Sequence, residues 1–358
     1  MDLTLYRTRG RSRAFENAAE AASQGGVSAY GQQAGASAKV RGPLHLSTGQ
    51  EAVPAGVCAH LKHTDYLTST HRGHGHTLAK GADLGRMMAE LFGKATGCNG
   101  GKGGSMHIAD FSVGMLGANG VVAAGLPIAV GAAHAQKILK KAPGRSQAFL
   151  SPSGGGPGAP SPGGSQSQDA ITVCFFGDGA INRGPFLESL NWARVYELPV
   201  LFVCEDNRWS ATTASGPMTA GDGASARAEA MAIAATLVDG NDVFAVHEVA
   251  GQLVTAVRSG AGPRLLHALT YRIKGHVSVD PAAYRDPDEL AAALETDPIA
   301  RARAQLLARG SGADALAAIE NAAHDEVESA LAAADAAPWP EAAAAFTDVQ
   351  TTGAGQWK

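Results

Sequence analysis

Two short apolar runs organise the middle of the chain. Ile171 to Phe176 and Pro199 to Cys204 are β-branched and aromatic with no polar alternation, the pattern of strands buried on both faces. Between them, Phe186, Leu187, Leu190, Trp192, Ala193 and Val195 recur close to helical period across Gly184 to Tyr196. Strand, helix and strand in this order predict a right-handed βαβ unit. Asp242 to Val249 and Arg264 to Arg272 are further strand candidates. Residues 2–24 predict a helix ended by Gly25 and Gly26, and the Ala-rich, amphipathic stretch from Asp286 to Ala333 predicts a helical section. The expected fold class is α/β, a mainly parallel sheet with helices on both faces and helical N- and C-terminal extensions. The boundaries expected are 1–40 for the N-terminal helix and loop, 41–290 for the α/β domain and 291–358 for the C-terminal extension and tail.

Composition adds one anomaly. Glycine supplies 45 of 358 residues, against roughly 7% in an average soluble protein. Apolar residues at 45% still suffice for a core, and a net charge of −4 argues against nucleic acid as a partner. Cys58, Cys98, Cys174 and Cys204 are far apart and form no CxxC pair, which reads as reduced thiols and a cytoplasmic setting. The longest apolar stretch, Val121 to Ala133, is broken by Gly125, Pro127 and Gly131 and is too short to span a bilayer. Arg7, Arg9, Arg11 and Arg13 precede no apolar run, and Asp2 and Glu16 fit a first helix better than a targeting segment. Residues 28–39 read as a loop, and 142–169, with 7 Gly, 5 Pro and 6 Ser, as a disordered surface insertion.

The chemistry gathers at strand ends. Asp178 and Asn207 each follow a predicted strand and lie 29 residues apart, so both should project into one crevice at the carboxyl edge of the sheet. A carboxylate and an amide oxygen are hard donors suited to Mg²⁺, which completes its shell with phosphate oxygens and water. Gly177 and Gly179 let backbone N–H groups approach a phosphate. A metal-bridged diphosphate is the implied ligand. A dinucleotide fingerprint fails because the next glycine, Gly184, comes two positions late, and 100–104 fails as a P-loop because Lys102 is followed by Gly103. His60, His63, His71, His74 and His76 lack both an HExxH helix and a cysteine partner, which disfavours zinc.

GDG followed by Asn207 is the thiamine-diphosphate motif, reading GDGAINRG and CEDN here. With HLSTGQEA (45–52), STHRGHGHTLAKG (69–81), GKATGCNGGKGGSMHIAD (93–110), GANGVVAAGLP (117–127) and YRIKGHVSVDPAAYR (271–285), the chain resembles one family. The family it resembles is the alpha subunit of the thiamine-diphosphate-dependent first component of 2-oxo acid and acetoin dehydrogenase complexes. The resemblance implies the thiamine-diphosphate-binding fold, specifically its diphosphate-binding domain. It implies Asp178, Asn207 and the Trp209 carbonyl as Mg²⁺ ligands. Gly177, Gly179 and Ala180 would meet the diphosphate, Arg72 would pair with it, and His71 would hydrogen-bond where many relatives have Tyr. Gly120 and Val122 would touch the aminopyrimidine through backbone groups. His276 would face the diphosphate and the reacting carbon, and His45 the substrate approach.

The resemblance also implies partners. The glutamate that activates the pyrimidine comes, in this family, from a beta subunit, so an α₂β₂ heterotetramer and a lipoyl-bearing acyltransferase are expected. Glu51 resembles a scaffold position instead. STHRGHGH and GKGGSMHIAD are similar to bacterial acetoin- and pyruvate-type members, and Val277 stands where some eukaryotic relatives have a regulated serine. Two rival readings are an inactive scaffold of the same fold and a nicotinamide oxidoreductase; the retained Asp178, Asn207, Arg72 and His276 oppose the first, and the failed fingerprint opposes the second.

Overall fold

The computed structural model describes residues 2–24, 38–40, 42–141 and 169–347. The expected insertions at 28–39 and 142–169 fall outside these apart from 38–39 and 169, as does the tail from 348. Six strands form one sheet: β1 (Tyr66–Thr68), β2 (Met115–Gly117), β3 (Thr172–Gly177), β4 (Val200–Asp206), β7 (Ala235–Asp239) and β8 (Arg264–Leu269). Their spatial order is β2-β1-β3-β4-β8-β7, and every pairing is parallel. A small antiparallel ribbon, β5 (Trp209–Ser210) with β6 (Thr213–Ala214), follows β4.

Parallel strands need cover on both faces, and the alternation of side chains supplies two cores. Val173, Phe175, Leu201, Val203 and Leu266 face one way, against α1 (Asp2–Ser23), α2 (Ala52–Cys58), α3 (Gly73–Ala79), α4 (Leu84–Leu91) and α8 (Val243–Arg258). Cys174, Phe176, Phe202, Cys204 and Leu265 face the other way, against α5 (Gly125–Lys141), α6 (Gly184–Val195) and α7 (Gly223–Glu229). Among the described residues the C-terminal section is three α-helices, α9 (Pro287–Glu295), α10 (Pro298–Ala308) and α11 (Ala313–Ala336), and a 3-10 turn at Ala342–Phe346. No described helix is long and apolar enough to cross a membrane.

The strand–helix–strand unit forms with its two strands parallel and adjacent, and the strand bounds shift by one or two residues. One expected strand does not: Asp242 to Val249 is the start of α8, and the strand lies just before it, at β7. The Asp242 side chain accepts from the N–H groups of Phe244 and Ala245, a cap that starts a helix. Val243, Val246, Ala250, Val254 and Val257 then bury one helical stripe. The second candidate strand ends at Leu269, leaving Arg272 in a loop. Glu51, placed as scaffold, is buried and pairs with Arg13.

Candidate active site

A cavity of about 190 Å³ opens at the carboxyl ends of β1, β3 and β4, where ligands bind in such sheets. The parallel register pairs Gly177 with Glu205, so the residues one and two positions on, Asp178 and Asn207, stand at adjacent strand ends. His45, His71, Arg72, Gly120, Val122, Gly177, Asp178, Gly179, Ala180, Asn207, Trp209 and His276 all line this one cavity. The structure thus brings together every site residue expected from the sequence.

The strand-end geometry is strict. Asp178 opens a 3-10 turn running to Asn182, whose leading N–H groups have no acceptor within the turn. A Cβ on Gly179 would collide with the Ser210 side chain. The Asn207 amide is held at both ends: Nδ2 donates to Gln50 Oε1 at 2.7 Å, and Oδ1 accepts from Trp209 N–H at 3.0 Å. That orientation leaves the second lone pair of Oδ1 for another ligand. Asp178 is 4% exposed and its Oδ2 has no hydrogen-bond partner. Burial, with Asp206 adding to it and a Ser215 hydrogen bond opposing it, pushes its carboxyl up to about 6.

The same cavity carries positive charge from Arg72 and Arg272. Arg72 donates to the Leu46 carbonyl at 2.6 Å and the His276 carbonyl at 2.8 Å. Burial and the nearby Arg272 lower it to about 9, and Arg272 itself falls to about 10 by burial and Arg285. Two buried guanidiniums that disfavour each other's charge make an anion-seeking wall.

Three imidazoles complete the lining. One ring nitrogen each from His45, His71 and His276 lies within 4.8 Å of the others. Burial and Arg72 depress all three, His45 to about 3, His276 to about 4 and His71 furthest. All are neutral at pH 7. Arg72 Nη2 stands 3.2 Å from His276 Nδ1 and can only donate, so the proton of His276 sits on Nε2. The same guanidinium opposes a dication among these rings, which leaves them as neutral hydrogen-bonding groups. His74 and His76 serve the scaffold instead. Each is bonded at both nitrogens, His74 to Glu16 and Ser105 and His76 to Ser69 and Glu205.

A family model, the dehydrogenase E1 component, matches residues 29–343. The chain belongs to the dehydrogenase E1 component family. It is 41% identical over 308 residues to the alpha subunit of acetoin:2,6-dichlorophenolindophenol oxidoreductase of Bacillus subtilis, covering 86% of this chain and 84% of that one. The subunit of the same name from Cupriavidus necator is 43% identical over 251 residues, 70% of this chain and 67% of that one. The pyruvate dehydrogenase E1 component subunit alpha of Porphyra purpurea is 38% identical over 307 residues, 84% and 82% of the two chains.

Within this E1 chain, sequence reasoning missed Gln50, Met106 and Arg272 as cavity residues. All three lie inside the segments that carried the family resemblance, so the segments were the signal and only the side-chain directions were hidden. The strand expected over Arg264 to Arg272 hides Arg272, which lies beyond the strand's end at Leu269.

Proposed function

We propose that this cavity holds thiamine diphosphate with Mg²⁺, and that the chain is the alpha subunit of an enzyme that decarboxylates a pyruvate-type 2-oxo acid or cleaves acetoin. The acyl group passes to the lipoyl arm of an acyltransferase. The observation that carries this is Asp178: a buried carboxylate with an unpartnered oxygen, next to an oriented amide oxygen and in one cavity with two buried arginines. Hard oxygens suit Mg²⁺, the guanidiniums suit a diphosphate, and Gly179 leaves no side chain in the way.

In this reading Asp178, Asn207 and the Trp209 carbonyl hold the metal, and Arg72 pairs with the diphosphate beside Gly177, Gly179 and Ala180. Gly120 and Val122 offer backbone groups to the aminopyrimidine. When bound, thiamine diphosphate supplies a nucleophilic carbon and an electron sink. His276 presents Nε2–H toward the reacting side, a neutral donor that keeps its proton through pH 7, and His45 and His71 orient the substrate with it. Among the described residues the only carboxylates lining the cavity are Asp178 and Glu205, and Glu205 is engaged by His76. The carboxyl group needed at the pyrimidine therefore comes from a beta subunit, in an α₂β₂ assembly located in a bacterial cytoplasm.

The test is calorimetric titration of thiamine diphosphate with Mg²⁺ into the chain co-expressed with its beta subunit, then dye reduction with pyruvate, branched 2-oxo acids and acetoin. Saturable, Mg²⁺-dependent binding and turnover of one of these substrates is expected. Absence of binding overturns the reading.

A further inference from the structure

The glycine-rich segment 97–104 has the look of an anion-binding loop, and its anion is built into the chain. Glu90, on α4, is 0% exposed. Its Oε2 accepts from the N–H groups of Asn99 at 2.8 Å and Gly101 at 2.9 Å, and its Oε1 from Gly103 at 2.7 Å and Gly104 at 3.1 Å. Four backbone donors converge on one carboxylate, each bond strengthened by its charge. Glycine is required for this wrap. A Cβ at Gly97 would stand 2.7 Å from Glu90 Cα, and Gly101 combines a φ of +78° with a backbone only 2.5 Å from where its Cβ would be.

The loop then runs to the cavity. Ser105 Oγ lies 3.0 Å from His74 Nε2, and the next residue, Met106, lines the cavity. Met106 and His107 are the side chains nearest to the open face of Gly120, at 3.7 and 3.6 Å from an ideal Cβ. Asn99 Oδ1 fixes the far side by accepting from Ala109 N–H at 2.9 Å.

We infer that Glu90 is a positioning residue that sets the shape of the 97–107 loop and thereby holds Met106 against the ligand in the cavity. The inference rests on thiamine diphosphate being that ligand only in its functional arm. Glu90→Gln is nearly isosteric but turns an amide NH2 toward two of the four N–H donors, so the wrap cannot close.

The experiment takes the assembled enzyme and measures amide hydrogen exchange together with steady-state kinetics against thiamine diphosphate. In Glu90→Gln, exchange across 97–104 should rise at least about tenfold while 172–177 and 200–206 stay protected. The KM for thiamine diphosphate should rise about tenfold with kcat at saturation within about twofold. Met106→Ala should reproduce the KM rise without the exchange change, and Glu90→Asp, which keeps both oxygens, should restore part of the affinity. Unchanged exchange in Glu90→Gln, or faster exchange with an unchanged KM, overturns the inference. If Glu90→Gln loses protection in the sheet as well, Glu90→Asp and Met106→Ala decide, and an unchanged KM in both overturns it. Wild-type enzyme that fails to bind thiamine diphosphate sinks the functional assignment, while the exchange arm still decides whether Glu90 shapes the loop.

Discussion

Glu90 and Asp178 are both buried carboxylates beside glycines, and they differ in one respect. Glu90 has every oxygen satisfied by backbone N–H groups of its own chain. Asp178 keeps Oδ2 unpartnered, and burial pushes its carboxyl up to about 6. A buried charge costs stability unless it is paired. Where the chain supplies partners to both oxygens, the carboxylate is architecture; where it leaves one oxygen without a partner, the position is set up for a ligand. The imidazoles repeat the contrast. His74 and His76 are bonded at both nitrogens, whereas His45 Nδ1 in the cavity has no partner.

The largest effect should separate the two carboxylates by activity. Asp178→Asn should lower turnover of the assembled enzyme by at least about 100-fold, because it removes the charge that would hold the proposed Mg²⁺. Glu90→Gln should keep its kcat. Ligand linkage gives the same ordering: Mg²⁺ with thiamine diphosphate should raise the melting temperature of wild type and leave Asp178→Asn unmoved. Equal losses of kcat in the two variants would erase the distinction.

Stability should move in opposite directions. Without ligand at pH 7.5, Glu90→Gln should cost about 2–3 kcal/mol, the penalty for stranding buried donors. Asp178→Asn should be neutral or stabilising by about 1 kcal/mol, as expected where function is bought with strain. The sign follows from linkage. The folded chain holds the Asp178 proton more tightly than the unfolded chain, so stability falls as pH rises from about 4 to about 6, and the full cost stands above that window. Chemical denaturation of both variants measures this directly, and destabilisation of similar size in each would break the comparison.

Why one half of the contrast was legible in the sequence and the other was not has a physical answer. Asp178 and Asn207 sit immediately after two unmistakable apolar runs, so local pattern alone located them, and the parallel register did the rest. Glu90 sits in a short helix where a glutamate reads as a solvated position. Only the tertiary path of 97–104 turns it inward. The strand misassigned at Asp242 to Val249 fails for a related reason: its valines favour strands intrinsically, but an Asp cap and a helical burial stripe override that preference. Strand β7, which it displaced, lies at the sheet edge with a single buried residue, Val238, too weak a signal to see.

Among the histidines the expected effect is smaller and appears on acidification. His45 and His276 are depressed to about 3 and about 4, chiefly by burial with Arg72 adding to it. A histidine whose folded pKa lies below its unfolded value stabilises fully above about 6.5, and that contribution is lost as pH falls toward the folded value. For the buried His45 the cost should approach about 1.4 kcal/mol per pH unit below 6.5, and for the more exposed His276 solvent screening makes it smaller. The melting temperature of ligand-free wild type should therefore fall more steeply between pH 6.5 and 5 than that of His45→Asn. Parallel curves would mean that His45 does not carry this burial cost.

The smallest effect tests the backbone in the same terms. Gly101 and Gly104, in the Glu90 wrap, take left-handed backbone with residues suited to it, at φ +78° and +59°. Ala282, in the loop that carries His276, takes φ +55° with a Cβ in place. It is held there because Asp280 accepts from Ala282 N–H at 2.9 Å and from His276 N–H at 2.7 Å. Left-handed backbone costs a non-glycine residue roughly 1 kcal/mol, and a glycine there would give part of that back as unfolded-state entropy. Ala282→Gly should thus stabilise the protein by about 0.5 kcal/mol, a rise of about 1–2 °C in melting temperature. If the variant is more stable but binds substrate more weakly, the strain at Ala282 belongs with Asp178 as a cost carried for the site. If binding is unchanged, it belongs with the scaffold, because Asp280 alone then fixes the loop.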